Sequence, residues 1–221
     1  MHVAECRKAL CAEIGIDEKS LILPRQTHSD KVLCYNKKVE DLTPEEQERL
    51  LYGVDAIVTD LPGICIGVST ADCIPILLHD CHARVVAAIH AGWRGTVQQI
   101  AIKTIATMQE YYGCNPSHIR AVIGPGISLS AFEVGDEVYE AFKATNATME
   151  RIAKRLPCSN GGEKWHIDLW ECNRRQLTAA GIPEQNIESS GVCTHARHRE
   201  FFSARRLGIN SGRIFNGIML L

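Results

Sequence analysis

The sequence predicts an α+β fold, because strands and helices are both present but do not alternate strictly along the chain. The strongest strand signal is residues 71–96, which contain two apolar runs joined by a polar turn at residues 79–83. The strongest helix signal is residues 95–112, where apolar side chains recur at helical spacing until Gly113. These two segments place an antiparallel strand pair directly before a long amphipathic helix.

Shorter elements precede the central hairpin. A helix is expected at residues 4–15, where apolar residues repeat every four positions and Gly15 provides a stop. A second helix is expected to begin after Thr43, because Pro44 and two acidic residues follow it. Four strands are predicted in this part of the chain, at residues 21–23, 31–35, 54–59 and 64–69.

The second half of the chain is also mixed. Helices are predicted at residues 132–142 and 171–180, and residues 143–162 are interpreted as an irregular insert. Strands are predicted at residues 119–123, 165–169, 187–192 and 214–221. With no long linker and no tandem repeat, residues 1–221 are expected to form a single domain.

Composition indicates a soluble cytoplasmic protein. Of 221 residues, 45% are hydrophobic and 23% are charged, and the formal net charge of −2 gives no reason to expect nucleic acid or an anionic membrane as partner. The N-terminal stretch lacks the apolar core of a signal peptide, and no apolar run is long enough to span a membrane. The ten cysteines are scattered singly, which favours reduced thiols over a disulfide framework.

The hairpin brings two potential metal ligands together. Cys73 opens its first strand and His90 closes its second, so an antiparallel pairing sets both at one edge of the sheet. His28, in a polar loop between two predicted strands, is a third candidate. Two imidazoles and one thiolate suit zinc with one position left open, and the same set suits copper. The alternative, equally weighted on these residues, is a buried Cys73 thiol and a hydrogen-bonded core His90.

Two other groups of cysteine and histidine are weaker candidates. Residues 79–82 (His-Asp-Cys-His) are adjacent in a turn, where side chains rarely converge on one ion. Cys193, His195 and His198 have closer spacing, but Arg197 and Arg199 beside them would repel a cation.

Six segments together resemble the YfiH/laccase-domain family, in that family's order and over most of the chain. They are Arg25-Gln26-Thr27-His28, Asp55-Ala56-Ile57-Val58-Thr59-Asp60, Ala71-Asp72-Cys73-Ile74-Pro75-Ile76, His90-Ala91-Gly92-Trp93-Arg94-Gly95-Thr96, Ile123-Gly124-Pro125-Gly126-Ile127 and Phe201-Phe202-Ser203-Ala204-Arg205-Arg206. Members of this family have been called multicopper polyphenol oxidases, and later purine nucleoside phosphorylases with adenosine deaminase activity.

The resemblance implies a YfiH-like fold of two mixed β-sheets flanked by helices, in four layers (α/β/β/α). It implies that His28, Cys73 and His90 are the metal ligands and the catalytic centre. It also implies phosphorolysis of adenosine, inosine, guanosine or methylthioadenosine to a free base and a pentose 1-phosphate. Relative to the family, an N-terminal segment is expected to be missing, and residues 194–198 replace a run that usually contains tyrosine.

The expected mechanism uses zinc, with copper as the alternative, and a purine nucleoside and phosphate as partners of a monomer or weak homodimer. Gly92 and Arg94, at the start of the long helix, are expected to bind the phosphate. Arg205 or Arg206 is expected to line the same pocket, and Asp72 to orient a ligand, move a proton or cap a turn. The rival activities are a copper-dependent polyphenol oxidase (laccase) and a Cys-His hydrolase with Cys73 as nucleophile, including one that edits peptidoglycan precursors. A metal-stabilised binding domain is the non-enzymatic alternative.

Overall fold

A computed structural model describes residues 3–145, 148–157 and 161–221. Its α-helices are α1 (Val3–Ile14), α2 (Lys37–Glu40), α3 (Pro44–Leu51), α4 (Trp93–Val97), α5 (Ile100–Tyr112), α6 (Asp136–Lys143), α7 (Met149–Ile152), α8 (Leu169–Ala179) and α9 (Ala204–Leu207). Its strands are β1 (Leu21–Ile22), β2 (Val32–Cys34), β3 (Ala56–Thr59), β4 (Cys65–Thr70), β5 (Ile74–Asp80), β6 (Val85–Ala91), β7 (Ile119–Ile123), β8 (Glu133–Val134), β9 (Ala153–Pro157), β10 (Glu163–Ile167), β11 (Ile187–Ser189) and β12 (Ile214–Met219).

The predicted hairpin, β5 and β6, lies at the centre of a six-stranded mixed sheet with the order β11-β7-β5-β6-β3-β2. The register pairs Ile74 with Ala91 and Pro75 with His90, which confirms that the start of β5 lies beside the end of β6. All seven residues of β6 are buried, because both faces of the sheet are covered. Its connecting turn begins at Cys81, two residues later than the predicted start at His79.

A second sheet and two sets of helices complete the four predicted layers. The three-stranded sheet β1-β4-β12 packs on one face of the central sheet through a buried apolar cluster. Helices α5 and α8 cover the opposite face, and α1 covers the outer face of the small sheet. The α+β class and the helix–sheet–sheet–helix order are therefore confirmed. A third sheet, β8-β10-β9, lies beside these layers and was not predicted.

Two predicted helices are wrong in part. The helix expected at residues 95–112 is divided into α4 and α5, because Gln99 adopts a left-handed backbone conformation (φ 62°). The helix expected at residues 132–142 begins only at Asp136, since Glu133 and Val134 pair instead with His166 and Trp165 of β10. Long-range strand pairing overrides the local helical pattern there.

The insert predicted at residues 143–162 also contains regular structure. Helix α7 and strand β9 lie within it, and β9 pairs along its length with β10. Residues 146–147 and 158–160 of this insert lie outside the described residues. Within the described part of the chain, no helix has the length and apolar character needed to cross a bilayer.

Candidate metal centre

His28, Cys73 and His90 converge at one edge of the central sheet. One potential ligand atom from each residue lies within 4.8 Å of the corresponding atoms of the other two. Among the described residues, this is the group of three potential metal ligands that the structure brings together. Cys73 Sγ is 3.8 Å from His28 Nε2. The two imidazole rings meet edge to face, with centroids 4.9 Å apart and an interplanar angle of 72°. The geometry places three chemically suitable donor atoms around one point.

The hairpin and one strained loop position these side chains. Cys73 immediately precedes β5 and His90 is the penultimate residue of β6, so the strand register sets their separation. His28 lies in the loop between β1 and β2 and adopts a positive φ of 62°, which is uncommon for a residue with a side chain. Asp72, directly before Cys73, also has a positive φ, of 83°. Backbone strain of this kind is frequent at functional sites.

Asp55, immediately before β3, holds both histidines of the cluster in place. Its carboxylate is fully buried, and its Oδ1 accepts hydrogen bonds from His90 Nδ1 at 2.7 Å and from the His28 backbone N–H at 3.1 Å. Its Oδ2 accepts from the N–H groups of Thr27 and Ser29 and from the Ser29 hydroxyl. Burial raises the pKa of Asp55, but these hydrogen bonds outweigh it and hold the pKa below its usual value. With Nδ1 of His90 occupied, Nε2 is left to face the cluster.

The cluster favours the deprotonated, thiolate form of Cys73. Burial raises the pKa of the Cys73 thiol, but hydrogen bonds from His28 and His90 outweigh it and lower the pKa to about 6. Burial lowers the pKa of His90, whereas its hydrogen bonds to Asp55 and Cys73 raise it to about 9. A thiolate at residue 73 is the form in which cysteine binds metal.

The donor set fits a metal ion. A thiolate and two imidazoles are the ligands that zinc takes from proteins, and a carboxylate behind one imidazole is its common supporting group. Gly92 leaves room for this arrangement, because a Cβ there would lie 3.0 Å from Cys73 Sγ and 3.1 Å from His28 Cδ2. Gly92, which was expected from the sequence to bind phosphate, therefore lies against Cys73 and His28, where its missing Cβ leaves room for both side chains.

The three side chains open into a cavity of about 660 Å³. Gln26, Arg205 and Arg213 contribute polar groups to its wall, and Ile127 and Phe132 are among its apolar residues. A volume of this size is within the range of ordinary small-molecule sites, roughly 300–1,000 Å³.

Asp72 lines this cavity, but its carboxylate is already engaged. Its Oδ1 accepts the Thr194 hydroxyl at 2.7 Å, and its Oδ2 accepts the Arg205 backbone N–H at 2.7 Å. Of the roles proposed from the sequence, that of a structural cap agrees with these contacts. Asp72 joins the segment that carries Cys73 to the segment that begins α9.

Two predicted phosphate-binding residues are not in the cavity wall. Arg94 is exposed and its guanidinium lies over the Trp93 ring, 4.4 Å from the centroid. Helix α4 has five residues, which is too short to supply the strong helix-end field that was expected there. Arg206 points into a neighbouring cavity, whereas Arg205 lines both. Of the arginines expected at one pocket, Arg205 lies in the wall of this cavity, whereas Arg94 and Arg206 do not.

Three residues of the site were not predicted from the sequence: Asp55, Gln26 and Arg213. An acidic residue at the start of an otherwise apolar strand was the available signal for Asp55, because a buried carboxylate needs hydrogen-bond donors. Gln26 uses both ends of its amide on the backbone of Ser69, at 3.0 Å and 2.7 Å, and so joins the His28 loop to β4. Arg213 had no local signal.

The competing cysteine–histidine groups do not converge in the described parts of the chain. Cys193 Sγ accepts the backbone N–H of Ser128 at 3.4 Å. In the other group, Asp80 is buried and accepts backbone N–H groups, and His82 stacks on His118 with centroids 4.1 Å apart. These contacts are structural.

Comparison with known proteins gives concordant results. The sequence model of the family described as multi-copper polyphenol oxidoreductase laccase matches residues 1–221. Adenosine deaminase RL5, from an unknown prokaryotic organism, is 48% identical over 218 residues, which cover 99% of this chain and 82% of that protein. A purine nucleoside phosphorylase of Bacteroides thetaiotaomicron is 46% identical over 202 residues, covering 91% and 74%.

Solved structures show the same fold. A crystal structure of the hypothetical protein YfiH from Bacillus licheniformis matches with a TM-score of 0.86 at 30% identity, covering 100% of this chain and 81% of that one. YlmD from Geobacillus stearothermophilus matches with a TM-score of 0.84 at 30% identity, covering 97% and 78%.

Proposed function

This chain belongs to the YfiH family, whose model is described as multi-copper polyphenol oxidoreductase laccase, and we propose that it is a zinc-dependent purine nucleoside phosphorylase with adenosine deaminase activity. The observation that carries the proposal is the His28–Cys73–His90 cluster at the base of a nucleoside-sized cavity. The names of two relatives at 48% and 46% identity, an adenosine deaminase and a purine nucleoside phosphorylase, support the two activities.

In this proposal His28, Cys73 and His90 hold the metal and Asp55 orients His90. A zinc ion held by these three residues would supply Lewis acidity toward an oxygen atom of water or of the substrate. Copper also binds such a set, so the choice of zinc rests on the activities of the relatives and on the open-site pattern.

The remaining cavity residues bind and enclose the substrate. Phe132 and Ile127 give an apolar surface against which a purine ring can pack. Arg213 lines the cavity and places its guanidinium in reach of an anionic group, while its own N–H groups also hold the carbonyls of Ile209 and Ser211. Gln26 is held by Ser69 and therefore supports the wall without reading the base.

Two reactions follow from one bound nucleoside. In phosphorolysis, a phosphate oxygen forms a bond to C1′ as the bond from C1′ to the base nitrogen breaks, and that nitrogen takes a proton. In deamination, water adds to C6 of adenosine and ammonia leaves. Positioning of the nucleoside beside the reacting oxygen is the contribution of the cavity, and a fixed geometry of this kind can supply a large part of the rate.

The test is Cys73→Ala, compared with Cys81→Ala in the exposed hairpin turn. We expect Cys73→Ala to lose bound zinc and to release hypoxanthine from inosine and phosphate at less than about a hundredth of the wild-type rate. Cys81→Ala should match wild type in both measurements. Retained zinc together with full phosphorolysis in Cys73→Ala would refute the proposal.

Copper-dependent phenol oxidation is the second candidate, because the family description names it. Reduction of O₂ to water takes four electrons, and the described residues provide one mononuclear His₂Cys group. The phosphorylase assignment is therefore preferred. Metal analysis of protein purified without added copper, with parallel phenol-oxidation and phosphorolysis assays, separates the two.

A further inference from the structure

A second cavity, also of about 660 Å³, lies next to the candidate metal centre. The side chain of Arg205 lines both cavities and forms the wall between them. Its guanidinium donates to the carbonyls of Ala131 and Glu133 and lies 5.5 Å from the centroid of the Phe132 ring. These contacts hold Arg205 in the wall that the two cavities share.

The second cavity concentrates positive charge. Arg206 lines it, is exposed, and has no ion pair or side-chain hydrogen bond with any described residue. His195 lines it as well. Burial, followed by the charge of Arg206, lowers the pKa of His195, which agrees with cationic groups converging there. Glu133 is the acidic residue in the wall, and Lys164 neutralises it through a 2.8 Å ion pair.

A buried imidazole with one unpaired nitrogen lines the same cavity. His166 lines the cavity and is 5% exposed. Its Nδ1 donates to the Leu129 carbonyl at 3.0 Å, and its Nε2 has no hydrogen-bond partner among the described residues. Buried polar atoms are almost always satisfied, so an unpaired nitrogen at a cavity wall calls for a hydrogen-bond donor from outside the chain, supplied by water or by a ligand. A hydroxyl or P–OH group would satisfy a nitrogen in this position.

The backbone of this cavity is fixed by the metal-site segment. Arg206 N donates to the Ser203 hydroxyl at 3.2 Å, which caps α9, and Arg205 N donates to Asp72. The Thr194 hydroxyl donates to the same Asp72 carboxylate, which sets the position of His195 next to it. One buried acid beside Cys73 therefore orients the residues that carry the positive charge.

We propose that the second cavity is a phosphate-binding site, in which Arg206 and His195 bind the anion and His166 accepts a hydroxyl hydrogen. The phosphate is either free inorganic phosphate or the phosphate of a pentose phosphate ester. The role of this phosphate in turnover, as co-substrate or as part of a product, rests on the proposed function. The binding of phosphate to the second cavity does not depend on that function. Arginine and histidine donors with a nearby hydroxyl acceptor match a phosphate group better than a carboxylate, because a carboxylate has no hydrogen to donate.

The experiment is calorimetric titration of the whole chain with inorganic phosphate and, separately, with ribose 5-phosphate. Wild type, Arg206→Gln, His195→Gln and Cys73→Ala are compared, with Arg120→Gln as the matched control. Arg120 is exposed on β7 and lies in neither cavity wall. We expect the dissociation constant to rise about tenfold in Arg206→Gln, because a charge-assisted contact is lost, and to stay unchanged in Arg120→Gln.

The Cys73→Ala titration separates this site from the metal centre. Phosphate binding that persists in Cys73→Ala and weakens in Arg206→Gln supports the proposal even if phosphorolysis is never detected. Binding that is lost in Cys73→Ala, or that is equal in Arg206→Gln and wild type, would overturn it, as would no binding of either probe to wild type. Tighter binding of ribose 5-phosphate identifies the ester as the ligand, and equal or tighter binding of inorganic phosphate identifies the free ion.

Discussion

Asp55 Oδ1 and His90 Nδ1 lie 2.7 Å apart, and both side chains are buried. The same oxygen also accepts the backbone N–H of His28 at 3.1 Å. One carboxylate therefore orients one imidazole ligand directly and another through its backbone. Supporting contacts of this kind set the geometry of metal sites, and their loss typically costs 10–100-fold in affinity.

Asp55→Asn should weaken zinc binding by about 10–100-fold. The amide NH₂ would face N–H donors whichever way it turned, because both carboxylate oxygens accept such groups. Zinc affinity measured by competition with a chelator checks this, with thermal unfolding to verify folding. Asp60→Asn, at an exposed position, is the control. Wild-type zinc affinity in folded Asp55→Asn would show that the contact does not support the site.

Gly92→Ala should impair metal binding with little effect on stability. The φ of Gly92 is −68°, which alanine adopts freely, but the new Cβ would approach Cys73 Sγ to 3.0 Å. Gly63→Ala is the control with the opposite properties. The φ of Gly63 is 75°, which strains alanine, and nothing lies within 4 Å of the added Cβ. That variant should lose about 1 kcal/mol of stability and keep its zinc affinity. Chelator competition and urea unfolding of both variants measure the two effects, and equal zinc affinities would contradict the steric role.

Part of this site was predictable because it depends on strand pairing. The proximity of Cys73 and His90 follows from an antiparallel hairpin, and that pattern is local. The role of Asp55 was not predictable, because the groups that donate hydrogen bonds to its carboxylate belong to a loop 26–28 residues earlier and to His90. The placement of Arg206 in the second cavity alone was also not predictable, because it depends on how Asp72 orients α9.

The fold shows the same division. Periodic segments such as α1 and β7 were predicted within a residue or two of the observed bounds. The region around Glu133 was not predicted correctly. Its pairing partner in β10 lies about thirty residues later, and this pairing makes residues with a helical pattern adopt a strand. Sequence patterns report the local preference of a segment for helix or strand. Where that preference is weak, non-local contacts determine which structure forms.

Alkylation of Cys73 should depend on bound zinc. A ligated thiolate is protected from iodoacetamide, whereas the metal-free thiolate is reactive. Peptide mapping by mass spectrometry should show Cys73 modified at least about tenfold more slowly in zinc-loaded than in metal-free protein. Cys81, exposed in the hairpin turn, is the internal control and should react equally in both forms. Equal modification of Cys73 in both forms would favour the thiol-hydrolase alternative.

Asp80 should make the protein less stable in acid. It is fully buried, and burial raises its pKa, but the backbone N–H groups of Ala83, His82 and Asn115 outweigh this and lower it. A lowered folded-state pKa contributes stability above the unfolded value, about 3.9, and that contribution is lost as pH falls through the folded pKa.

Asp80→Asn should therefore cost about 1–3 kcal/mol at pH 7, with the difference from wild type shrinking below about pH 4. Urea unfolding across this pH range measures it, with the exposed Glu188→Gln as control. A difference that stays constant down to pH 3 would show that Asp80 does not titrate in this way.

Asp72 and Thr194 should be energetically coupled through their side-chain hydrogen bond. Their side chains meet at 2.7 Å, and Thr194 is fully buried while Asp72 is 8% exposed. Asp72→Asn keeps a residue type that tolerates a φ of 83°, so it removes the charge without adding backbone strain. Thr194→Val removes the hydroxyl at nearly constant shape. In a double-mutant cycle by urea unfolding, the two changes should be non-additive by about 0.5 kcal/mol or more. Additive effects would mean that Asp72 holds α9 only through its bond to Arg205 N, and that Thr194 is positioned independently by its backbone bond to Gly126.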